Sequence, residues 1–303
     1  MLRRTKMGSG TTATQQSVME QLDIDALADR CLKLLKACQD EDPKASTSKF
    51  NDYQQVFIGV AGGPGSGKST IAKKVRDEIN KERNPNGDQS RHECVVIGMD
   101  GYHLSRQELK EKAEAGELFK TDQEDEKGKP VRKQMTYDEL MTRRGASFTY
   151  DPERFIRDLK TIKEKGEGSF PVYSREKHDP VPGGVSVTKD NKIIFVEGLY
   201  LLCAHDPDWQ PLDDLWDDKW YIDVSMAETK QRLVHRHLKT WSDEKTQRWG
   251  GDDEAAATRK AEANDMKNAV CIEKNSKAHA HLVIQNEGVP EDDSDNADIG
   301  AAT

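Results

Sequence analysis

The chain has 303 residues, 33% of them charged and 34% apolar, with a formal net charge of −9. That length suggests one large domain or two small ones with ample core, and no apolar run approaches the roughly 20 residues that a membrane helix needs. Six of the nine net negative charges lie from Glu287 onward, where no base stands, so the preceding body is nearly balanced and advertises no nucleic-acid surface.

Residues 1–20 read as a disordered lead-in rich in Thr, Gln and Ser. Arg3, Arg4 and Lys6 lack the amphipathic helix of a presequence, so a cytoplasmic tail is expected. Residues 21–54 hold a helix and a polar linker. Asp23 can cap the helix, whose positions Ile24, Leu27, Cys31, Leu34, Leu35 and Cys38 form one stripe to pack on the main domain. Cys31 and Cys38 are seven apart, which is core spacing rather than a metal pair. With Cys94, Cys203 and Cys271 they make five cysteines and no C-x-x-C, the pattern of reduced intracellular thiols.

The main domain is placed at 55–286. Residues 56–61 are an apolar run short enough for a buried parallel strand. Gly62, Gly63, Pro64, Gly65, Ser66, Gly67, Lys68 and Ser69 follow and fit G-x-x-x-x-G-K-[ST], a phosphate-binding loop. Thr70 continues into a helix with Ile71, Val75 and Ile79 on one face. Glycines let backbone N–H groups converge on one anion, and the helix N-terminus reinforces the pull. Lys68 can then reach the β/γ-phosphates of a nucleotide and Ser69 can ligate Mg²⁺.

A polar loop with Asn84, Pro85, Asn86 and Gly87 leads to a second strand at 94–99, which ends in Asp100, Gly101, Tyr102 and His103. Residues 106–135 are charge-dense and read as a helix and a mobile loop. Asp151-Pro152 can open a helix carrying Phe155, Ile156, Leu159 and Ile162. A turn-rich piece holds Tyr173 and His178. Strands at 193–196, ending in Glu197-Gly198, at 220–224 and at 282–284 complete a set of five. Between the last two lie a basic helix at 228–239, a polar glycine-containing segment and a helix through Asn264, Asp265 and Asn268. Residues 287–303 read as a disordered acidic tail. Strands alternating with helices argue for a parallel sheet covered on both faces. Ligands then sit beyond the strands' carboxyl ends, where the loop after Ala61, Asp100 and Glu197 all lie.

Phosphoryl transfer to a hydroxyl requires a phosphate cradle, Mg²⁺, a group to take the hydroxyl proton, and cations on the moving phosphoryl. Asp100 is the general base or a metal ligand, and Gly101 lets an acceptor approach. Glu197 ends an apolar strand and reads as a ligand of Mg²⁺ or its water. Arg232 and Arg236, four apart on one helical face, can close over the transferring group. His237 reads as a surface residue, and Tyr173 and His178 offer ring faces and polar atoms to a small acceptor.

Six separated motifs occur in the order of one family. They are the strand and phosphate loop, Met99 through Leu104, Arg143-Arg144-Gly145, Tyr150-Asp151, Pro171-Val172-Tyr173 and Val196 through Leu202. Over residues 55–286 the chain resembles the phosphoribulokinase/uridine kinase group of P-loop kinases, which includes pantothenate and glycerate kinases. As a whole it resembles uncharacterised fungal ATP-dependent kinases of that group. The resemblance implies an α/β P-loop fold with a five-stranded parallel sheet, helices on both faces and an arginine-bearing lid. It also implies ATP and Mg²⁺ as cofactors, with Asp100 catalytic beside Lys68, Arg232 and Arg236. Ser69 and Glu197 would form the metal site, and Asp100, His103, Arg144, Asp151, Tyr173 and His178 the acceptor site. Residues 171–174 with Asp179 and Pro182 are similar to pantothenate kinases, although Arg175 stands where those carry histidine. His178 matches the uridine kinase spacing, and Ser147 replaces a usual proline. The expected partner is a small-molecule acceptor, with a nucleoside such as uridine first and pantothenate, glycerate or sugars next; neither nucleic acid nor membrane is expected. A nucleotide-binding regulatory module without turnover is the alternative from another class.

Overall fold

The computed structural model describes residues 18–21, 23–41, 50–83, 93–126 and 130–288. In chain order the elements are β1 (Val18–Gln21), α1 (Ile24–Asp40), β2 (Val56–Gly62), α2 (Lys68–Arg83), β3 (Cys94–Gly98), α3 (Arg106–Glu114), β4 (Leu118–Glu124) and β5 (Pro130–Gln134). There follow α4 (Tyr137–Thr142), α5 (Pro152–Lys165), β6 (Gly168–Ser174), β7 (Asp179–Val187), β8 (Ile193–Gly198), β9 (Asp218–Asp223), α6 (Met226–Lys239), α7 (Asp243–Trp249), α8 (Glu254–Lys260), α9 (Met266–Ser276) and β10 (Leu282–Gln285).

The five expected strands form one parallel sheet in the order β10-β9-β2-β8-β3. Alternate residues of each strand point to opposite faces. Phe57, Ala61, Ile194, Val196 and Tyr221 enter one core cluster; Val56, Ile58, Val60, Ile193, Phe195 and Ile222 enter the other. Both faces are dry, which is why these strands read as unbroken apolar runs. Helices α1 and α2 cover the second face with the cysteine stripe inward, and α5 and α9 cover the first. Asp23 accepts from the Ala26 N–H at 3.1 Å and caps α1 as its residue type suggests. Among the described residues no helix is long and apolar enough to cross a membrane.

The structure corrects the outline in three places. Residues 18–20, assigned to the disordered lead-in, form with Gln21 a sixth strand, parallel to β10 at the sheet edge. Residues 106–135 are not a helix and a loop but α3 followed by the antiparallel hairpin β4–β5; Phe119 of β4 and Met135, just after β5, join Leu104, Leu109 and Leu140 in a satellite core. The polar segment at 249–253 spans the turn between α7 and α8, two short helices that the outline left out. With α6 they form a small helical layer around Leu233, Val234, Ala257 and Ala261. The loop at 84–87 and residues 289–303 of the acidic tail lie outside the described residues, whereas Glu287 still accepts from the Ser225 N–H at 3.1 Å.

Candidate active site

The phosphate loop hangs between two regular elements. Strand β2 ends at Gly62 and α2 starts at Lys68. Between them Gly65 and Gly67 adopt φ of +75° and +86°, the left-handed region that a side chain resists. Asn286, just past β10, donates from Nδ2 to the Ser66 carbonyl at 2.8 Å, and a Cβ on Gly67 would come within 2.6 Å of that nitrogen. The end of β10, two strands away from β2, therefore braces the loop. Lys68 Nζ, largely buried, donates to the Gly63 carbonyl at 3.0 Å. The buried Ser66 Oγ has no hydrogen-bond partner among the described residues.

One cleft of about 410 Å³ unites residues that are far apart in the chain. Pro64, Lys68, Ser69, Asp100, Glu197 and Arg236 all line it. Glu197 is 8% exposed at the end of β8, and a Cβ on Gly98 of the neighbouring β3 would lie 3.2 Å from its Oε1. No cluster of three or more His, Cys, Asp or Glu side chains suited to a metal exists among the described residues. This donor set fits magnesium, which keeps its waters and takes one or two protein ligands beside substrate phosphates; Ser69 and Glu197 would be those ligands.

Asp100 is the second residue of a 3₁₀ turn, Met99–Tyr102, that directly follows β3. Its carboxylate is exposed to the cleft, and the Tyr150 hydroxyl donates to Oδ1 at 3.1 Å. Burial and the Asp100 charge push the Tyr150 phenol up, so it remains a donor. His103 Nδ1 lies 2.8 Å from the Asp100 carbonyl, and its ring sits between Tyr150 (4.0 Å) and Tyr173 (5.0 Å). Burial pushes the imidazole down despite the neighbouring carboxylate. The neutral ring therefore donates from Nδ1 and keeps Nε2 as an acceptor.

Behind this aromatic wall Arg144 is engaged through both terminal nitrogens, while its buried Nε, like that of Arg106, has no hydrogen-bond partner among the described residues. It donates to the carbonyls of His178 (2.7 Å) and Leu104 (2.9 Å) and to Asp179 Oδ1 (2.7 Å), tying hairpin β6–β7 to the core. His178 lines the cleft from the hairpin tip with a φ of +52°. Partial burial, with Arg106, Lys245 and Arg144 nearby, lowers its affinity for a proton.

Two sequence-predicted site residues lie elsewhere. Asp151 accepts from the Arg154 N–H at 3.0 Å and caps α5, and it is absent from the cleft lining among the described residues. Arg232, 9% exposed, turns beneath the loop rather than over it. It bonds Glu228, the Gly65 carbonyl (3.4 Å) and the Asn286 carbonyl (2.6 Å). Of the two expected lid arginines only Arg236 lines the cleft. His237 is not a surface residue: it is 7% exposed and pairs with Asp265 Oδ2 at 2.7 Å. Gly101 lets the β6 backbone come close to the Asp100 turn, because a Cβ there would meet the Pro171 carbonyl oxygen at 2.0 Å.

Sequence reasoning missed Arg106, Lys245, Arg248, Lys260, Asn264 and Asn268, all of which line the cleft. The last three of these are four residues apart, so a polar stripe at helical spacing was available as a signal. A π turn at Ala261–Asp265 interrupts that stripe, as often happens at functional sites. Burial lowers the Lys260 pKa, while Asp265 opposes the shift.

A phosphate loop, a strand-end acid on each of two neighbouring strands and a cationic helical layer above them define a P-loop phosphotransferase site on a parallel α/β sheet. Residues 57–289 match the model of the phosphoribulokinase/uridine kinase family, and the chain belongs to that family. A Schizosaccharomyces pombe protein named as a candidate uridine kinase is 30% identical over 267 residues, covering 87% of this chain and 91% of its own. Pantothenate kinase of Myxococcus xanthus is 27% identical over 237 residues, 73% of this chain and 64% of its own. Among solved structures, YFH7 of Saccharomyces cerevisiae, itself proposed to be a P-loop kinase, superposes with a TM-score of 0.64. It is 19% identical and covers 88% of this chain and 100% of its own, a likeness that speaks for the fold alone. Membership of a kinase family implies phosphotransferase chemistry with ATP.

Proposed function

We propose that the chain moves the γ-phosphate of ATP to a hydroxyl of a small polar metabolite. The observation that carries this reading is the shared cleft: Lys68, Ser69, Asp100, Glu197 and Arg236, up to 168 residues apart in sequence, line one concavity. Lys68 and the loop amides bind the β/γ-phosphates. Mg²⁺, held by Ser69 and Glu197, would neutralise charge between those phosphates. Asp100 accepts the proton of the acceptor hydroxyl, and the Tyr150 hydroxyl orients its carboxylate. His103 and Tyr173 pack against the acceptor. Arg236 and Lys260 steady the negative charge of the phosphoryl group in flight.

The test is incubation with Mg·ATP and a metabolite panel, with phosphorylated products read by mass spectrometry. A nucleoside such as uridine comes first, then pantothenate, glycerate and sugars. Asp100→Asn should lower transfer about 10²- to 10⁴-fold while leaving nucleotide binding in place. Unchanged turnover in that variant would remove Asp100 from the chemistry. ATP binding without transfer to any acceptor would favour a regulatory module.

A further inference from the structure

The cleft is strongly cationic in an acidic chain. Among the described residues lining it, eight are Lys or Arg (Lys68, Arg106, Arg144, Arg175, Arg236, Lys245, Arg248 and Lys260), and four are Asp or Glu. The chain as a whole carries −9. Positive charge gathered in a concavity focuses its field on whatever anion enters.

The cations divide by position. Lys68, Arg236 and Lys260 belong to the phosphate loop and the helical layer, and triphosphate chemistry accounts for them. Arg106 and Arg175 do not belong there. Arg106 is the first residue of α3, and Arg175 follows β6. Both stand on the acceptor wall with Tyr173 and His178, whose titration feels Arg106 directly. The neighbouring Asp179 is already bound at Oδ1, which accepts from Arg144 at 2.7 Å and from the Arg106 backbone N–H at 2.9 Å. Arg106 Nε is buried and has no hydrogen-bond partner among the described residues. A buried guanidinium N–H without an acceptor is costly, and a ligand oxyanion is the natural way to satisfy it. Tyr150, His103 and Tyr173 meanwhile supply only a small aromatic wall beside Asp100.

We infer that the acceptor is itself an anion, a hydroxy metabolite bearing a carboxylate or phosphate group that Arg106 binds with help from Arg175, rather than a neutral nucleoside. This rests on the kinase reading, because it assigns the hydroxyl to Asp100 and the oxyanion to the arginine wall. It also gives the nest of positive charge a role beyond ATP.

The test separates the two readings. With the phosphate loop saturated by Mg·AMP-PNP, binding of D-glycerate and glycerol 3-phosphate is measured by calorimetry against uncharged glycerol and uridine. At least one anion should bind about tenfold or more tighter than glycerol and uridine, and its affinity should fall with added salt. The better of the two anions tells carboxylate from phosphate. Arg106→Gln should lose about tenfold or more of that affinity with nucleotide affinity unchanged, Arg106→Lys should restore part of it, and Arg175→Gln should lose less. Thermal melts of each variant establish that it is folded. Equal or better binding of uridine, or anion affinity indifferent to Arg106→Gln in a folded variant, overturns the inference. Turnover of uridine in preference to both anions overturns it while leaving the kinase reading intact. Arg106-dependent anion binding with no phosphorylated product from any acceptor upholds the anion site and sinks the kinase reading.

Discussion

Gly101→Ala tests whether the Asp100 turn is positioned by backbone contact with the β6 hairpin. An alanine Cβ at that position would lie 2.0 Å from the Pro171 carbonyl oxygen and 2.6 Å from its carbon, where ordinary contact begins at 3.4 Å. Both obstacles are backbone atoms, so no rotamer relieves the clash. Either the turn carrying Asp100 or the strand carrying Tyr173 must retreat by about 1.4 Å. Overpacking of this kind costs about 1–3 kcal/mol, and for a chain of this size each kcal/mol lowers Tm by about 2–4 °C. A misplacement near 1 Å costs on the order of 10² in rate when two reacting groups must meet. The phosphate loop hangs on β2 and α2, away from the clash, so affinity for a non-hydrolysable ATP analogue should stay within about twofold of wild type. Calorimetric Tm, analogue binding and acceptor kcat/KM measure the three effects. Native Tm together with native transfer would refute the close approach of Asp100 and β6.

Asp151→Ala should lower stability by about 1 kcal/mol through loss of the α5 cap and leave acceptor KM unchanged, checked by denaturant melts and steady-state kinetics. Arg232→Ala should cost about 1.5–3 kcal/mol of stability and weaken nucleotide binding by loosening Gly65, whereas a pure rate effect with native stability would restore it as a lid residue. Asp218, 4% exposed, accepts from Arg30 Nε (2.6 Å), Trp220 Nε1 (2.8 Å) and His281 Nδ1 (3.1 Å). Burial alone would raise its pKa, but hydrogen bonds from His281, Arg30 and Trp220 outweigh burial and hold the carboxyl well below the usual carboxylate range. Its contribution is therefore complete above an unfolded-state pKa of about 3.9 and is lost as pH falls from there toward the lower native value. Asp218→Asn should flatten that acid limb of the Tm–pH curve, and an unaltered limb would contradict the network.

Much of this architecture is legible locally, because the signals act over one strand or one turn of helix. Apolar runs of three to six residues announced the five central strands, and glycine marks the carboxyl end of the three at 56–61, 94–99 and 193–196. Asp23 and Asp151-Pro152 announced two helix starts, and G-x-x-x-x-G-K-[ST] announced the phosphate loop. Local patterns did not reveal residues 18–21 as a strand, because an edge strand of four residues takes its stability from β10, more than 260 residues away. The hairpin β4–β5 was hidden for a related reason: β5 is exposed and polar, and the apolar ties of the pair to α3 and α4 among the described residues rest on Phe119 and on Met135 just after β5, beside the ion pair of Lys133 with Glu139.

The amino-acid sequence by itself determined which residues can carry charge to the carboxyl end of the sheet, since strand, loop and helix periodicities are properties of neighbours. Tertiary packing decided which of them face the cleft. Arg232 and Arg236 are one helical turn apart and chemically alike, yet one is drawn beneath the loop by the carbonyls of Gly65 and Asn286 while the other borders the cleft. Asp151 spends its carboxylate on its own helix, and Arg106, Lys245 and Lys260 reach the cleft from three separate elements. A side chain's direction is set by the partners that bury it, and those partners come together only when the distant parts of the chain have packed.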